Sequence, residues 1–217
     1  MSTEGKPEFL LPRDIETRSF QMIEEELGPH DFDPQTALVV KRVIHATADF
    51  DYAKNLHFSA NAVRSGVEAL RSGASVVADT TMVAAGVNKR VLASFGGSVH
   101  AFVADEDVVR EARERGTTRS AVGMERAAAL DGPLVFAIGN APTALLALHR
   151  LLRERAIPTL VLVVGVPVGF VNVVESKELI MGDAVEHIVA RGRKGGSTVA
   201  AAIVNALLYL ASNDRRW

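Results

Sequence analysis

The sequence predicts an α/β fold, a three-layer α/β/α arrangement with a mainly parallel sheet in a single domain. Three observations carry that prediction. Short β-branched apolar runs, Ser75–Ala78, Leu134–Ile138 and residues 160–164, alternate with longer segments of helical periodicity. Such runs suit parallel strands covered on both faces. Each ends on small, polar or turn-forming residues before the next helix begins. At 217 residues and 48% hydrophobic, one domain of ordinary size is expected, with no internal repeat or linker to split it.

In chain order, residues 1–14 read as a flexible N-terminal arm and residues 15–217 as the domain. A first helix is expected over 14–27, with Ile15, Phe20, Ile23 and Leu27 near helical spacing. Gly28-Pro29 stops it. Asp33-Pro34 reads as N-cap and first helical position of a helix over 35–47 that buries Leu38, Val39, Val43 and Ile44. A helix over 60–71 ends at Gly73, and the strand Ser75–Ala78 runs into Asp79-Thr80-Thr81. A helix near 89–95 precedes a β-like segment over 98–103. Charged helical text then covers 105–115 and 120–130. Pro133 opens the strand Leu134–Ile138, which leads into Gly139-Asn140 and a helix over 143–155. Pro158 opens a strand over 160–164 that meets Gly165. A Gly/Pro-rich turn, a helix near 175–181 and a closing helix over 199–211 complete the chain, with Ser197 or Thr198 as candidate cap of the last. That closing helix is apolar nearly all round and reads as core or as an oligomer interface.

Composition removes several function classes. A net charge of −2 without a concentrated basic face argues against a nucleic-acid binder. The absence of cysteine excludes disulfides, thiolate metal sites and cysteine catalysis. Residues 1–18 mix acids and bases without an apolar stretch, which is not a signal peptide. The most apolar run, 157–174, is broken by Pro158, Gly165, Pro167 and Gly169 and makes a poor membrane span. A soluble, cytoplasmic protein is expected. No histidine pair has metal-ligand spacing such as HExxH, so no protein-held metal is expected. No GxGxxG follows a strand. In Gly192-Arg193-Lys194-Gly195-Gly196-Ser197 two glycines separate Lys from Ser, so neither NAD nor ATP is supported.

In an open α/β sheet, ligands bind beyond the carboxyl ends of the strands. Three such ends carry small or polar residues: 79–82, 139–143 and 165–170. Each taken alone is explained by turn formation; three on one edge favour a site. His45 is the sharpest single residue. If its helix persists, Arg42, His45 and Asp49 share a face, and an imidazole titrating near neutrality can give or take a proton. A helix-end histidine facing the macrodipole explains the same pattern. The segment 192–198 reads either as a basic, Gly-rich anion cradle at a helix N-terminus or as a solvated turn. Arg119, beside Ser120, suits a bidentate carboxylate contact or a surface ion pair. Glu175-Ser176-Lys177, which follows an apolar run, lines a site or caps a helix.

Together these segments resemble the precorrin-8X methylmutase family, the corrin-pathway isomerases. The resemblance rests on Ser19-Phe20, on Arg42-Val-Ile-His45-Ala-Thr-Ala-Asp49, and on Asp79-Thr80-Thr81-Met82. It continues through Thr118-Arg119-Ser120-Ala121, Gly139-Asn140-Ala-Pro142-Thr143, Gly165-Val-Pro167-Val-Gly169-Phe170, Glu175-Ser176-Lys177 and Gly192 to Ser197. It spans residues 15–211 in order.

The resemblance implies a carboxylate-rich tetrapyrrole substrate, precorrin-8X. A methyl group migrates from C-11 to C-12 to give hydrogenobyrinate, and His45 is the proton donor and acceptor. It implies no added cofactor, a homodimer, and hand-over to neighbouring pathway enzymes. It also keeps open the cobalt-containing substrate of the anaerobic branch, with the metal held by the macrocycle. The implied substrate-binding set is Ser19, Arg42, Asp49, Thr80, Met82, Arg119, Ser120, Asn140, Gly169, Lys177, Arg193, Gly195, Gly196 and Ser197. The chemistry agrees with the residues: a methyl shift within one conjugated ring needs a proton, orientation and electron withdrawal rather than an external nucleophile. A non-catalytic corrinoid carrier and a nucleotide-dependent α/β enzyme are the rival readings.

Overall fold

The computed structural model describes residues 11–212. Along the chain run α1 (Pro12–Leu27), α2 (Pro34–Thr47), α3 (Tyr52–Asn55), β1 (Leu56–Phe58), α4 (Ala62–Arg71) and β2 (Ser75–Ala78). Then come α5 (Thr81–Gly86), α6 (Lys89–Ser94), β3 (Val99–His100), α7 (Glu106–Glu114), α8 (Arg119–Ala127) and β4 (Leu134–Ile138). The chain continues through α9 (Pro142–Arg153), β5 (Leu160–Gly165), α10 (Val173–Gly182), β6 (Glu186–Ala190) and α11 (Ser197–Ser212).

The strands form one six-stranded sheet ordered β1-β6-β5-β4-β2-β3. All its pairings are parallel except β1 with β6. The order reverses between β2 and β4, because the chain leaves β2 for the β3 edge and returns on the other side. Their carboxyl ends therefore flank the switch-point crevice where ligands bind in such sheets.

Alternate side chains serve opposite faces, as the two-residue period of a strand requires. Val76, Ala78, Val135, Ala137, Leu162 and Val164 pack with α4 and α11 on one side. Val77, Phe136, Val163 and Val189 pack with α8, α9 and α10 on the other. Outside α11 lies a further tier, α1 and α2, whose Ile23, Val39, Val40, Val43 and Ile44 join the first core. This explains why α11 is apolar nearly all round: it is sandwiched between the sheet and α2.

The expected α/β layering and the three main strands are present. Asp33 caps α2 by accepting the N–H groups of Gln35 and Thr36, with Pro34 at the first helical position. Several elements differ. The strand expected over 98–103 shrinks to Val99–His100, followed by a single 3₁₀ turn over Phe102–Ala104. β1, β6, α3 and α5 do not stand out in the sequence, being short or, in β6, opening on Glu186 and His187. α1 begins at Pro12, so residues 12–14 of the expected arm are helical; residues 1–10 of it lie outside the described residues. α2 stops at Thr47, and Ala48 takes a left-handed φ of 52° while its N–H caps Ile44 O. The helix does not persist to Asp49, which leaves the face shared by Arg42 and His45.

Candidate active site

A cleft of about 420 Å³ opens between α2, α5 and α11 on the side of the sheet that carries α4. Arg42 and His45 project into it from α2, Met82 and Gly86 come from α5, and Ser197, Thr198, Asn205 and Tyr209 from α11. Ala46, Ala201 and Ala202 keep the walls low. The volume lies within the usual range for small-molecule sites.

His45 sits in the last turn of α2, its imidazole stacked on the Phe20 ring with centroids 5.2 Å apart and planes at 21°. Arg42, one turn earlier, is buried and lies 4.6 Å over the same Phe20 ring, with Tyr209 5.7 Å away. Its Nη1 donates to Glu16 Oε1 at 2.6 Å. Burial pulls the guanidinium below its usual pKa and Glu16 opposes this. It stays charged at any working pH. The cleft wall around His45 is therefore aromatic and cationic, suited to a flat ring bearing carboxylates.

The opposite wall depends on Asn205, which accepts the Asn88 N–H at 2.7 Å and donates to Gly86 O at 2.8 Å. Asn88 in turn donates to the Tyr209 hydroxyl at 3.2 Å. Phe20, Asn205 and Tyr209 are absent from the sequence-derived site set. A signal was nevertheless present in the sequence: Asn205 and Tyr209 are polar residues at i, i+4 spacing on one face of a largely apolar helix.

The strand-end loops are tied together at one carboxylate. Asp79, buried at the end of β2, accepts the N–H groups of Gly139, Asn140 and Ala141 at 3.0, 2.8 and 2.7 Å. Burial raises its pKa, and the three amides pull the other way. Gly139 passes so close to α11 that a Cβ there would stand 2.7 Å from Ser197 Cα. Thr80 caps α5 by accepting the Val83 N–H, and its hydroxyl lies 3.4 Å from Ser197 Oγ.

The expected substrate-binding residues fall into three groups. Arg42, Met82 and Ser197 line the cleft with His45, and Thr80 touches Ser197. Arg193, Gly195 and Gly196 belong to the loop entering α11, and the Gly169 N–H donates to Arg193 O. Asp49 meets that loop from outside: Lys194 Nζ bonds Asp49 Oδ2 and Asp51 Oδ2 at 2.6 and 2.7 Å. Lys194 holds Asp49 below the usual carboxylate range.

The remainder do not line the cleft. Ser19 Oγ donates back to Ile15 O within α1. Arg119 and Ser120 begin α8 on the far face of the sheet, where Thr118 caps the helix and donates to Thr143. Asn140, exposed, lies just after β4, where its N–H donates to Asp79. Lys177 is fully buried beneath the 192–196 loop.

The chain is similar to known proteins over most of its length. The family model described as precorrin-8X methylmutase matches residues 14–210. A cobalt-precorrin-8 methylmutase of Priestia megaterium is 46% identical over 212 residues, covering 97% of this chain and 93% of that protein. A precorrin-8X methylmutase of Pseudomonas aeruginosa is 41% identical over 196 residues, covering 89% and 93%. The crystal structure of a precorrin-8X methylmutase from Thermus thermophilus superposes with a TM-score of 0.84 at 42% identity, covering 92% of this chain and 98% of that one. The chain therefore belongs to the precorrin-8X methylmutase family, isomerases that move a methyl group within a tetrapyrrole of cobalamin biosynthesis.

Proposed function

We propose that the cleft between α2, α5 and α11 holds precorrin-8X and that His45 is the general acid and base for migration of its methyl group from C-11 to C-12, giving hydrogenobyrinate. One observation carries the assignment: among the described residues lining the cleft, His45 is the only histidine, and an imidazole can both give and take a proton. The step is intramolecular. The bond from the methyl carbon to C-11 breaks as the bond to C-12 forms, and the proton lent by the imidazole returns to it.

The remaining residues bind and orient. Arg42, Ser197 and the amides of the 192–196 loop meet carboxylates of the substrate, while Phe20, Met82 and Tyr209 offer apolar surface to the ring. Arg119, Ser120 and Asn140 serve carboxylates that overhang the other rim. Gly169 supports the loop through Arg193 O, and Thr80 supports Ser197. Ser19 and Asp49 act through α1 and Lys194 rather than on the ring.

The protein works as a homodimer in the cytoplasm, and passes its product to the next enzyme of the pathway. Exposed Val168, Phe170 and Val171 on the loop after β5 support a partner at this edge of the sheet. No helix of the described residues is long and apolar enough to cross a membrane.

The cobalt form of the substrate is the second reading, favoured by the name of the 46%-identical Priestia relative. Rates with the metal-free and cobalt-containing substrates decide between the two. The mechanism itself is tested by His45→Asn. Because His45 is exposed at a helix end, the variant keeps the fold and still binds the pigment. Turnover, read from the absorption change as the conjugation alters, falls by about 10²–10⁴-fold. A wild-type rate removes His45 from the chemistry, and a wild-type protein that returns the pigment unchanged is a carrier.

A further inference from the structure

Lys177 on α10 has no exposed surface. Its ammonium donates to Gly192 O at 2.8 Å and Lys194 O at 2.9 Å. No carboxylate pairs with it among the described residues. A buried cation served only by carbonyl oxygens is costly. Burial lowers its pKa from 10.5 to about 8, which leaves it largely charged at neutral pH.

What those two bonds do follows from peptide geometry. No peptide bond here is cis, so the N–H of each residue points opposite to the preceding carbonyl. With Gly192 O and Lys194 O turned inward to Lys177, the N–H groups of Arg193 and Gly195 turn away from it. Neither N–H has an acceptor among the described residues.

The rest of the loop is fixed from the sheet side as well. The Gly196 N–H donates to Val166 O at 2.9 Å, and the Gly169 N–H to Arg193 O at 3.3 Å. Gly195 lies so tightly on the chain just after β5 that a Cβ would stand 2.1 Å from Val166 O. On the outer side, Lys194 ties the loop to Asp49 and Asp51, just after the helix that carries His45.

We propose that Lys177 is a positioning residue for the methyl migration: from beneath the loop it holds two carbonyls inward and so presents the Arg193 and Gly195 amides to a carboxylate of the substrate, in fixed relation to His45. This rests on the substrate occupying the cleft beside α11. The buried charge adds a favourable field for that carboxylate without touching it. Loop backbone N–H groups left without a protein acceptor, here on alternate residues, are a usual backbone device for holding an anion.

The test uses the full chain. Lys177→Met keeps the length of the side chain and removes its donors. The expected result is a KM for precorrin-8X raised by about ten- to a hundredfold, as loss of one or two charge-assisted hydrogen bonds implies. kcat stays within about threefold, because the proton donor is untouched. Amide hydrogen exchange over 192–196 accelerates, and Lys177→Arg restores much of the affinity. An unchanged KM, or a loss confined to kcat, overturns the proposal.

If the methionine variant fails to fold, the wild-type protein decides. Saturating hydrogenobyrinate should slow exchange at 193–195 together with the cleft-lining stretch of α11. Slowing in α11 without slowing at 193–195 overturns the role of Lys177 while leaving the cleft assignment standing. Slowing at neither overturns both.

Discussion

The imidazole of His45 lies almost flat against the ring of Phe20, 5.2 Å between centroids, so α1 supplies the surface on which this side chain of α2 rests. The two residues are 25 positions apart, and the contact exists only because α1 folds back along α2.

Phe20→Leu keeps apolar bulk but removes the flat seat. Aromatic stacking is worth about 0.5–1.5 kcal/mol beyond area burial, so kcat should fall by up to about tenfold. KM should change little. Steady-state kinetics beside a thermal melt check this, and an unaltered kcat shows that the imidazole is oriented without Phe20.

Asp79→Asn tests the knot between the ends of β2 and β4. The amide nitrogen of asparagine would face one of three N–H groups that now point at a carboxylate. With a buried donor left unsatisfied, stability should drop by about 1–3 kcal/mol, readable by urea unfolding. A variant as stable as the parent would mean that the 139–141 turn holds its shape unaided.

Gly195→Ala tests the close approach of the loop to Val166, just after β5. Its Cβ would meet Val166 O at 2.1 Å, so the loop must lift. Substrate KM should rise by about tenfold or more, the cost of losing an anion contact. Gly182→Ala is the control: nothing lies within 4 Å of its Cβ, it ends α10, and the kinetics should not move.

His57 predicts a pH dependence of stability. Its ring stacks on His187 with centroids 5.3 Å apart. Burial first, then Arg191 and His187, hold its pKa below the ordinary 6.5, with Glu178 opposing. The unfolded chain then binds a proton that the folded chain resists, so stability falls as pH drops through about 6.5 toward the depressed value. Melting temperatures of wild type and His57→Gln between about pH 5 and 7.5 should diverge on the acid side, the variant losing less. Parallel curves would assign the acid loss elsewhere.

Much of the architecture was legible because it is written in local patterns. Ser75–Ala78 and Leu134–Ile138 stand out as apolar runs bounded by turn residues, and Asp33-Pro34 announces α2 through capping chemistry. β6 was hidden because it opens on Glu186, held by Ser59 and Asn61, and on His187, buried against His57. The partners of Glu186 and the ring that His187 packs against lie more than 100 positions away, which no local window displays. The shared face of Arg42, His45 and Asp49 failed at Ala48, where a left-handed residue ends the helix without a glycine to mark it.

By itself the sequence determined the class of fold, the main strands with the turn residues that end them, and the motifs that place the chain among the methylmutases. Periodicity, capping and turn preference act over a few residues and so survive in one dimension. Only the tertiary structure decided that α11 is an inner layer beneath α2, that Asn205 and Tyr209 line the cleft while Phe20 backs His45 and Arg42, and that Lys177 lies beneath the 192–196 loop. Those outcomes depend on which surfaces meet once burial of the apolar faces closes the sheet. That meeting is set by long-range packing, which residue spacing does not encode.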